Sequence, residues 1–188
     1  MNTKQIIDEL FPKGITYEDY LKRSNSKLGK MKAGYEATEQ LLTDHEDVID
    51  FINRPMNVLL FAENWCGDCA NGVPVIAKLA EVCDQWNFRI LPKDDHEEIF
   101  SKYFTTAGKK KIPLLIFMDQ ENHEIARWFE RPTEAYKLIT KYKKLPQEEF
   151  IQKLREAPEF QVPGITNLVL KEVLAVAEKS AALLESFK

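Results

Sequence analysis

The spacing of apolar and polar positions along the chain changes period several times, and each change marks an element. An uninterrupted apolar run, Val58-Leu59-Leu60-Phe61-Ala62, predicts a buried strand over residues 57–62. Beyond it, Val73, Ile76, Leu79-Ala80, Cys83 and Trp86 recur at helical spacing. A strand, a sharp turn and a helix opening at Cys66 explain both, with Pro74 expected to kink the helix. Residues 87–91 then read as a short strand stopped by Pro92, and Asp94-Asp95 start a helix carrying Ile99, Phe100, Tyr103 and Phe104. Residues 112–118 and 123–129 read as two strands joined by the polar turn Asp119-Gln120-Glu121-Asn122. The first is too apolar for a sheet edge, and its proline stands at the start, where proline is tolerated. Pro132 opens a further helix through Tyr136, Ile139 and Tyr142.

Both ends of the chain read as helix. Ile6-Ile7 and Leu10-Phe11 form one short stripe, and Thr16 is placed to cap a second helix through Tyr17, Tyr20 and Leu21. Ser24-Asn25-Ser26 marks a break, after which Tyr35 and Gln40-Leu41-Leu42 continue weakly helical. Helical pattern resumes at residues 46–53 and ends at Arg54-Pro55. After Pro146, Phe150-Ile151 and Leu154 mark one helix, and residues 168–187 a second, with Thr166 or Asn167 as its expected cap. The division expected is a helical extension over 1–43, an α/β domain over 44–145 and a helical extension over 146–188. The last helix is apolar on too wide a face to stand alone, so it should pack on the body or on a second copy of the chain.

Composition narrows the classes. With 188 residues, 44% hydrophobic, 30% charged and seven glycines, the chain suits one sizeable helix-rich globular domain with extensions. A net charge of −4 gives no reason to expect nucleic acid or an anionic membrane as partner. The N-terminal stretch has no apolar leader core and no segment has membrane-spanning length, so a reducing cytoplasm is the expected setting. There, a Cys-x-x-Cys is more often catalytic or metal-binding than structural. No glycine-rich phosphate loop is present, and no cofactor is expected.

The chemistry concentrates in Asn64-Trp65-Cys66-Gly67-Asp68-Cys69-Ala70. On a first helical turn, positions i and i+3 share a face roughly 5–6 Å apart, within the reach of a disulfide. Cys66 would stand at the positive end of the helix dipole, near unpaired N–H groups that favour a thiolate. The other reading of such a pair is half a zinc site. Cys83 and the histidines at 45, 96 and 123 are scattered, with no second paired motif, so a redox dithiol is favoured and no metal is expected. Cys83 reads as a small buried apolar residue. Trp65 is either a core aromatic or a substrate contact beside the thiol. The lysine run 109–111 reads as a solvated loop, or as charge that favours the thiolate and attracts acidic partners.

From residue 44 to 144 the expected order is helix, strand, helix, strand, helix, strand, strand, helix. This resembles the thioredoxin fold, and local marks agree: Trp65 before the cysteine pair, Pro74 in the helix, and Ile112-Pro113 at a strand onset. The likeness covers roughly the middle 100 residues and implies a central mixed sheet flanked by helices, with Pro113 preceded by a cis peptide. It also implies that Pro113 packs beside the pair, excluding a metal and shaping an edge for an extended substrate. The function implied is thiol-disulfide oxidoreduction, with Cys66 attacking and Cys69 resolving, on protein or small-molecule disulfides. An upstream reductant is implied too, either a thioredoxin-reductase-like enzyme or a low-molecular-weight thiol. Several positions depart from the family pattern. Asp68 stands where proline is usual between the cysteines, Leu60 where a buried acid helps move protons, and Ala62 where a second aromatic stands. Glu130 or Arg131 replaces the glycine after the last strand. Leu60, Asp68 and the bulk after Phe129 favour a rival reading, a non-enzymatic interaction module that binds a partner, or dimerises, through its helical arms. The intact Trp65, Cys66, Cys69 and Pro113 favour the enzyme, which is the leading reading.

Asp68 is expected on an exposed turn, where its charge opposes the Cys66 thiolate. At a separation on the order of 6 Å the repulsion is about 0.7 kcal/mol in water and about 2.8 at an effective dielectric near 20. An exposed carboxylate belongs near the lower figure, roughly half a pKa unit, or on the order of 15 mV toward a more reducing pair.

Overall fold

The computed structural model describes residues 2–23 and 27–187, so the break expected at Ser24-Asn25-Ser26 lies outside them. Four helices precede the sheet: α1 (Thr3–Leu10), α2 (Tyr17–Lys22), α3 (Leu28–Leu42) and α4 (Glu46–Ile52). Thr16 caps α2 as expected, its hydroxyl accepting from Asp19 N–H at 3.2 Å. Then come β1 (Met56–Ala62), α5 (Gly67–Val82), β2 (Trp86–Pro92), α6 (Glu97–Tyr103), β3 (Leu114–Met118), β4 (Glu124–Phe129) and α7 (Thr133–Tyr142). The chain closes with α8 (Gln147–Glu156) and α9 (Gly164–Ser186).

The fold is α/β and thioredoxin-like, a four-stranded mixed sheet flanked by helices, with the strands ordered β2-β1-β3-β4. β1 runs parallel to β2 and antiparallel to β3, which pairs antiparallel with β4. The two uninterrupted apolar runs become the two central strands, because only a strand covered on both faces hides every side chain. The N-terminal arm protects one edge: Ile15 exchanges backbone hydrogen bonds of 2.8 and 3.0 Å with Ile90 of β2.

α5 is buried almost all round, from Gly72 through Leu79 without a break. A helix of that kind needs cover on its outer side. α3 and α9 supply it. On α3, a Cβ at Gly34 would stand 3.1 Å from the Pro74 ring, so glycine permits the close crossing. Lys78, otherwise buried, reaches Glu39 of α3 at 3.1 Å and Glu81 at 2.9 Å. α9 packs against α5, β4, α4 and α3, and it ties down the far sheet edge through Glu172, which accepts from Trp128 Nε1 at 2.9 Å.

α9 starts earlier than the pattern predicted. Pro163 occupies the cap position and Thr166 lies inside the helix, 1% exposed, with its hydroxyl oxygen toward Gly34. Thr166 serves as a small packing residue in the crossing, so neither it nor Asn167 is the cap. Among the described residues, no helix is long and apolar enough to cross a membrane.

A candidate dithiol site at the head of a buried helix

β1 ends at Ala62, and after three intervening residues the chain turns into α5 with Cys66 at its N-cap, in extended backbone. The Cys66 sulfur takes the place of a capping oxygen, accepting from Cys69 N–H at 3.3 Å. The same sulfur lies 3.7 Å from the Ile112 carbonyl, an acceptor within reach of the thiol proton. Cys66 therefore has an acceptor for its proton and a donor for its charge. The hydrogen bond with the Cys69 side chain is the largest influence and lowers the Cys66 pKa, the Cys69 backbone N–H adds to it, and burial and Asp68 oppose. An attacking sulfur is ordinarily expected to face solvent, and here it does so only slightly. Cys66 is only 8% exposed, because the Ile112-Pro113 segment closes over it.

Cys69 is fully buried, and burial pushes its thiol well above the ordinary range, the Cys66 sulfur adding to the effect. Its sulfur accepts from Glu63 N–H at 3.4 Å. The environments thus drive the two thiols apart: one toward thiolate near the surface, one toward neutral thiol in the core. Cys83 is also fully buried, and burial raises its pKa to about 12.

The Ile112-Pro113 peptide is cis, and both residues are buried beside the pair. A Cβ at Gly72 would stand 3.0 Å from the Pro113 ring, so the helix approaches this loop through a glycine. Trp65 is 60% exposed and not part of the core. Its indole Nε1 donates to Asp94 at 3.0 Å, which ties down an exposed ring one residue before Cys66. Gly67 is exposed, and a side chain there would meet nothing within 4 Å.

A family model described as thioredoxin matches residues 14–143. The chain belongs to the thioredoxin family. No curated protein matches it at a significant level. Two solved structures share the fold: an HIV epitope-scaffold (TM-score 0.64, 18% identity) and a protein of unknown function from Pseudomonas aeruginosa (TM-score 0.60, 19% identity). Each comparison covers 91% of this chain and 96% of the other.

Where thioredoxins usually place a glycine after the last strand, this chain has Glu130, at φ +59°, with its N–H donating to the Pro113 carbonyl at 2.7 Å. Burial works against the Glu130 charge, but Lys111 at 2.8 Å, the Tyr136 hydroxyl and Arg131 hold its pKa below the usual value. The lysine run is accordingly not a free cationic patch: Lys111 pairs with Glu130 and Lys110 with Glu97.

Asp68 also departs from the expected exposed turn. Its side chain is 22% exposed and pairs with Arg131 at 2.5 Å, because the chain after β4 folds back over the first turn of α5. Burial raises the Asp68 pKa; Arg131 pulls it the other way. The charge acting on Cys66 is thus that of a pair, and its two halves should act in opposite directions. Asp68→Asn is expected to lower the Cys66 pKa by about half to one unit, and Arg131→Gln to raise it by a similar amount. The double variant should fall near wild type. Alkylation rate against pH reads all three, and shifts of the same sign in both single variants would contradict the pairing.

Pattern analysis singled out Cys66, Cys69, Trp65, Gly67, Asp68, Ile112 and Pro113, and the structure brings all seven to one end of the sheet. It missed Arg131, the partner of Asp68; Glu63, whose N–H donates to the Cys69 sulfur; and Tyr20, which is buried in the core. Tyr20 carried only a helix-stripe signal. Glu63 carried one cue: an acidic residue directly after a fully apolar strand.

Proposed function

We propose that the chain is a cytoplasmic thiol-disulfide oxidoreductase that reduces protein or small-molecule disulfides through Cys66 and Cys69. The observation carrying this reading is the asymmetry of the pair: the sulfur that caps α5 has its thiolate favoured, and its neighbour three residues on is closed off and held protonated.

In the first step the Cys66 thiolate attacks one sulfur of a substrate disulfide, forming a mixed disulfide and releasing the other sulfur as thiolate. Cys69 then loses its proton and attacks Cys66, closing the internal disulfide and releasing the second substrate sulfur. Two protein thiols are oxidised and one substrate disulfide becomes two thiols. Trp65 offers an exposed ring one residue before the attacking cysteine, and the Ile112-Pro113 segment a backbone edge. A thioredoxin-reductase-like enzyme or a low-molecular-weight thiol would return the pair to the dithiol.

The test is reduction of insulin with dithiothreitol as electron source, wild type against Cys66→Ser. A rate above background in wild type, lost in Cys66→Ser, is expected. Equal rates would favour the rival reading of an interaction module, to which Leu60, fully buried where an acid is usual, lends some weight.

A further inference from the structure

The two helical extensions leave a groove open near the head of α5. α3 and α5 run side by side in the same direction: Gly34 lies against Pro74, and further along Tyr35 and Glu39 meet Lys78. Lys30, one turn before Gly34, therefore stands level with about Ala70, on the order of 6 Å along the axis beyond Cys66. Packed helices lie about 8–10 Å apart, so Lys30 is roughly a dozen ångströms from the attacking cysteine. Desolvation lowers the Lys30 pKa most, Lys27 adds to this and Asp68 opposes, in keeping with that placement. Lys30 forms one side of a groove of about 540 Å³, and Ile151, Leu154 and Arg155 of α8, with Phe160 and Val162 beyond it, form the other. α8 buries none of its residues, and Ile151 is 37% exposed. An amphipathic helix with its apolar stripe left in water lacks cover for that face. The end of α8 is nevertheless fixed, since the Gln161 side chain donates to the Arg155 carbonyl. The cations on the rim are uncommitted. Neither Lys30 nor Arg155 makes an ion pair or a side-chain hydrogen bond among the described residues, whereas Arg131 and Lys111 are paired with Asp68 and Glu130.

We infer that this groove seats an acidic, apolar segment of the substrate protein, a few residues from the disulfide that Cys66 attacks. The inference rests on the proposed dithiol chemistry and names its class of substrate. Ile151, Leu154, Phe160 and Val162 take the apolar side chains of the segment, and Lys30 and Arg155 take its carboxylates. An extended peptide advances about 3.3 Å per residue, so about four residues join the groove to Cys66. A basic segment would bring its charges against two cations that have no anion beside them, and is turned away. The C-terminal extension is then a substrate-selecting arm as well as cover for α5.

The experiment uses the full reduced chain and two short peptides, each with a cysteine followed by leucines interspersed with glutamate in one and with lysine in the other. Each cysteine is joined by a disulfide to pyridinethiol, which is neutral and absorbs once released. The Cys66 thiolate attacks the peptide sulfur, the disulfide breaks, and its electron pair leaves on the pyridine sulfur, which takes up a proton. Cys69 then loses its proton and attacks Cys66, closing the internal disulfide and releasing the peptide as a thiol. Each rate is divided by that of the same protein on dithiodipyridine, a neutral disulfide too small to reach the groove, so any general effect on the thiol cancels. Wild type is expected to favour the glutamate peptide by about tenfold or more at low salt, and less as salt rises. Lys30→Glu and Arg155→Glu should each cut that preference by about threefold and together erase it. Lys179→Glu, the same change of charge at an exposed site on the far half of α9, should keep it. Thermal melting checks that all variants fold. Equal rates on the two peptides in wild type, a preference that survives in the double variant, or an equal loss in Lys179→Glu each overturn the inference. A dimer in sedimentation that Ile151→Asp breaks would give the groove to a second copy and overturn it too. A wild type inactive on dithiodipyridine sinks the dithiol reading alone. The groove is then read by fluorescence anisotropy of the same peptides, labelled and with serine for cysteine: binding of the glutamate peptide that the double variant loses upholds the seat, and no binding overturns it.

Discussion

A chain ended after Leu145 is expected to show no cooperative thermal transition and to expose apolar surface to a hydrophobic dye. α9 buries Ile165, Val169, Leu170, Val173 and Leu174 to 4% exposure or less, and Ala177 and Ala181 completely. At about 1.5–3 kcal/mol for each fully buried large aliphatic side chain, five of them are worth on the order of 10 kcal/mol. That is comparable to the whole stability of an ordinary domain, about 5–15 kcal/mol. The loss also uncovers the outer side of α5 and leaves Trp128 Nε1 without Glu172. Smaller changes should grade in the same way. Leu170→Ala, at a site with no exposure, is expected to cost about 2–5 kcal/mol, and Phe187→Ala, 74% exposed, no more than about 0.5. Circular dichroism melts of the three proteins read this. A truncated chain that is soluble and melts cooperatively within a few degrees of wild type would show that α9 is dispensable cover.

What could be read along the chain and what could not follow from the range of the physics. The strands at Met56–Ala62 and Leu114–Met118 announced themselves as apolar runs, since burial on both faces is written residue by residue. The Cys66 cap was legible because capping acts within one turn, and the Thr16 cap for the same reason. The Asp68–Arg131 pair was not, because it joins positions 63 apart. Seen locally, Asp68 is an ordinary acid at a helix start, and only the return of the chain after β4 makes it half of an ion pair. Tyr20 misled in a similar way. Its spacing with Tyr17 and Leu21 marks an amphipathic helix, and nothing in that spacing shows that its hydroxyl is buried in the core without a partner. The start of α9 was misjudged because Thr166 looks like a cap, whereas the crossing with Gly34 requires a small residue there.

The largest functional effect expected is all-or-none. Removing the resolving sulfur while keeping the attacking one should stop the proposed reaction at the mixed disulfide, because nothing else near Cys66 can displace the substrate: Cys83 is fully buried and ends the same helix seventeen positions away. Removing the attacking sulfur should prevent the mixed disulfide from forming, since Cys69 is fully buried and held protonated. The direct measurement is therefore mixed-disulfide capture in cells. Cys69→Ser and Cys66→Ser are expressed, free thiols are quenched by alkylation, and adducts are resolved on non-reducing gels. The account predicts dithiothreitol-sensitive adducts through Cys66 in Cys69→Ser and none in Cys66→Ser. Adducts through Cys69 in Cys66→Ser, with none in Cys69→Ser, would contradict it.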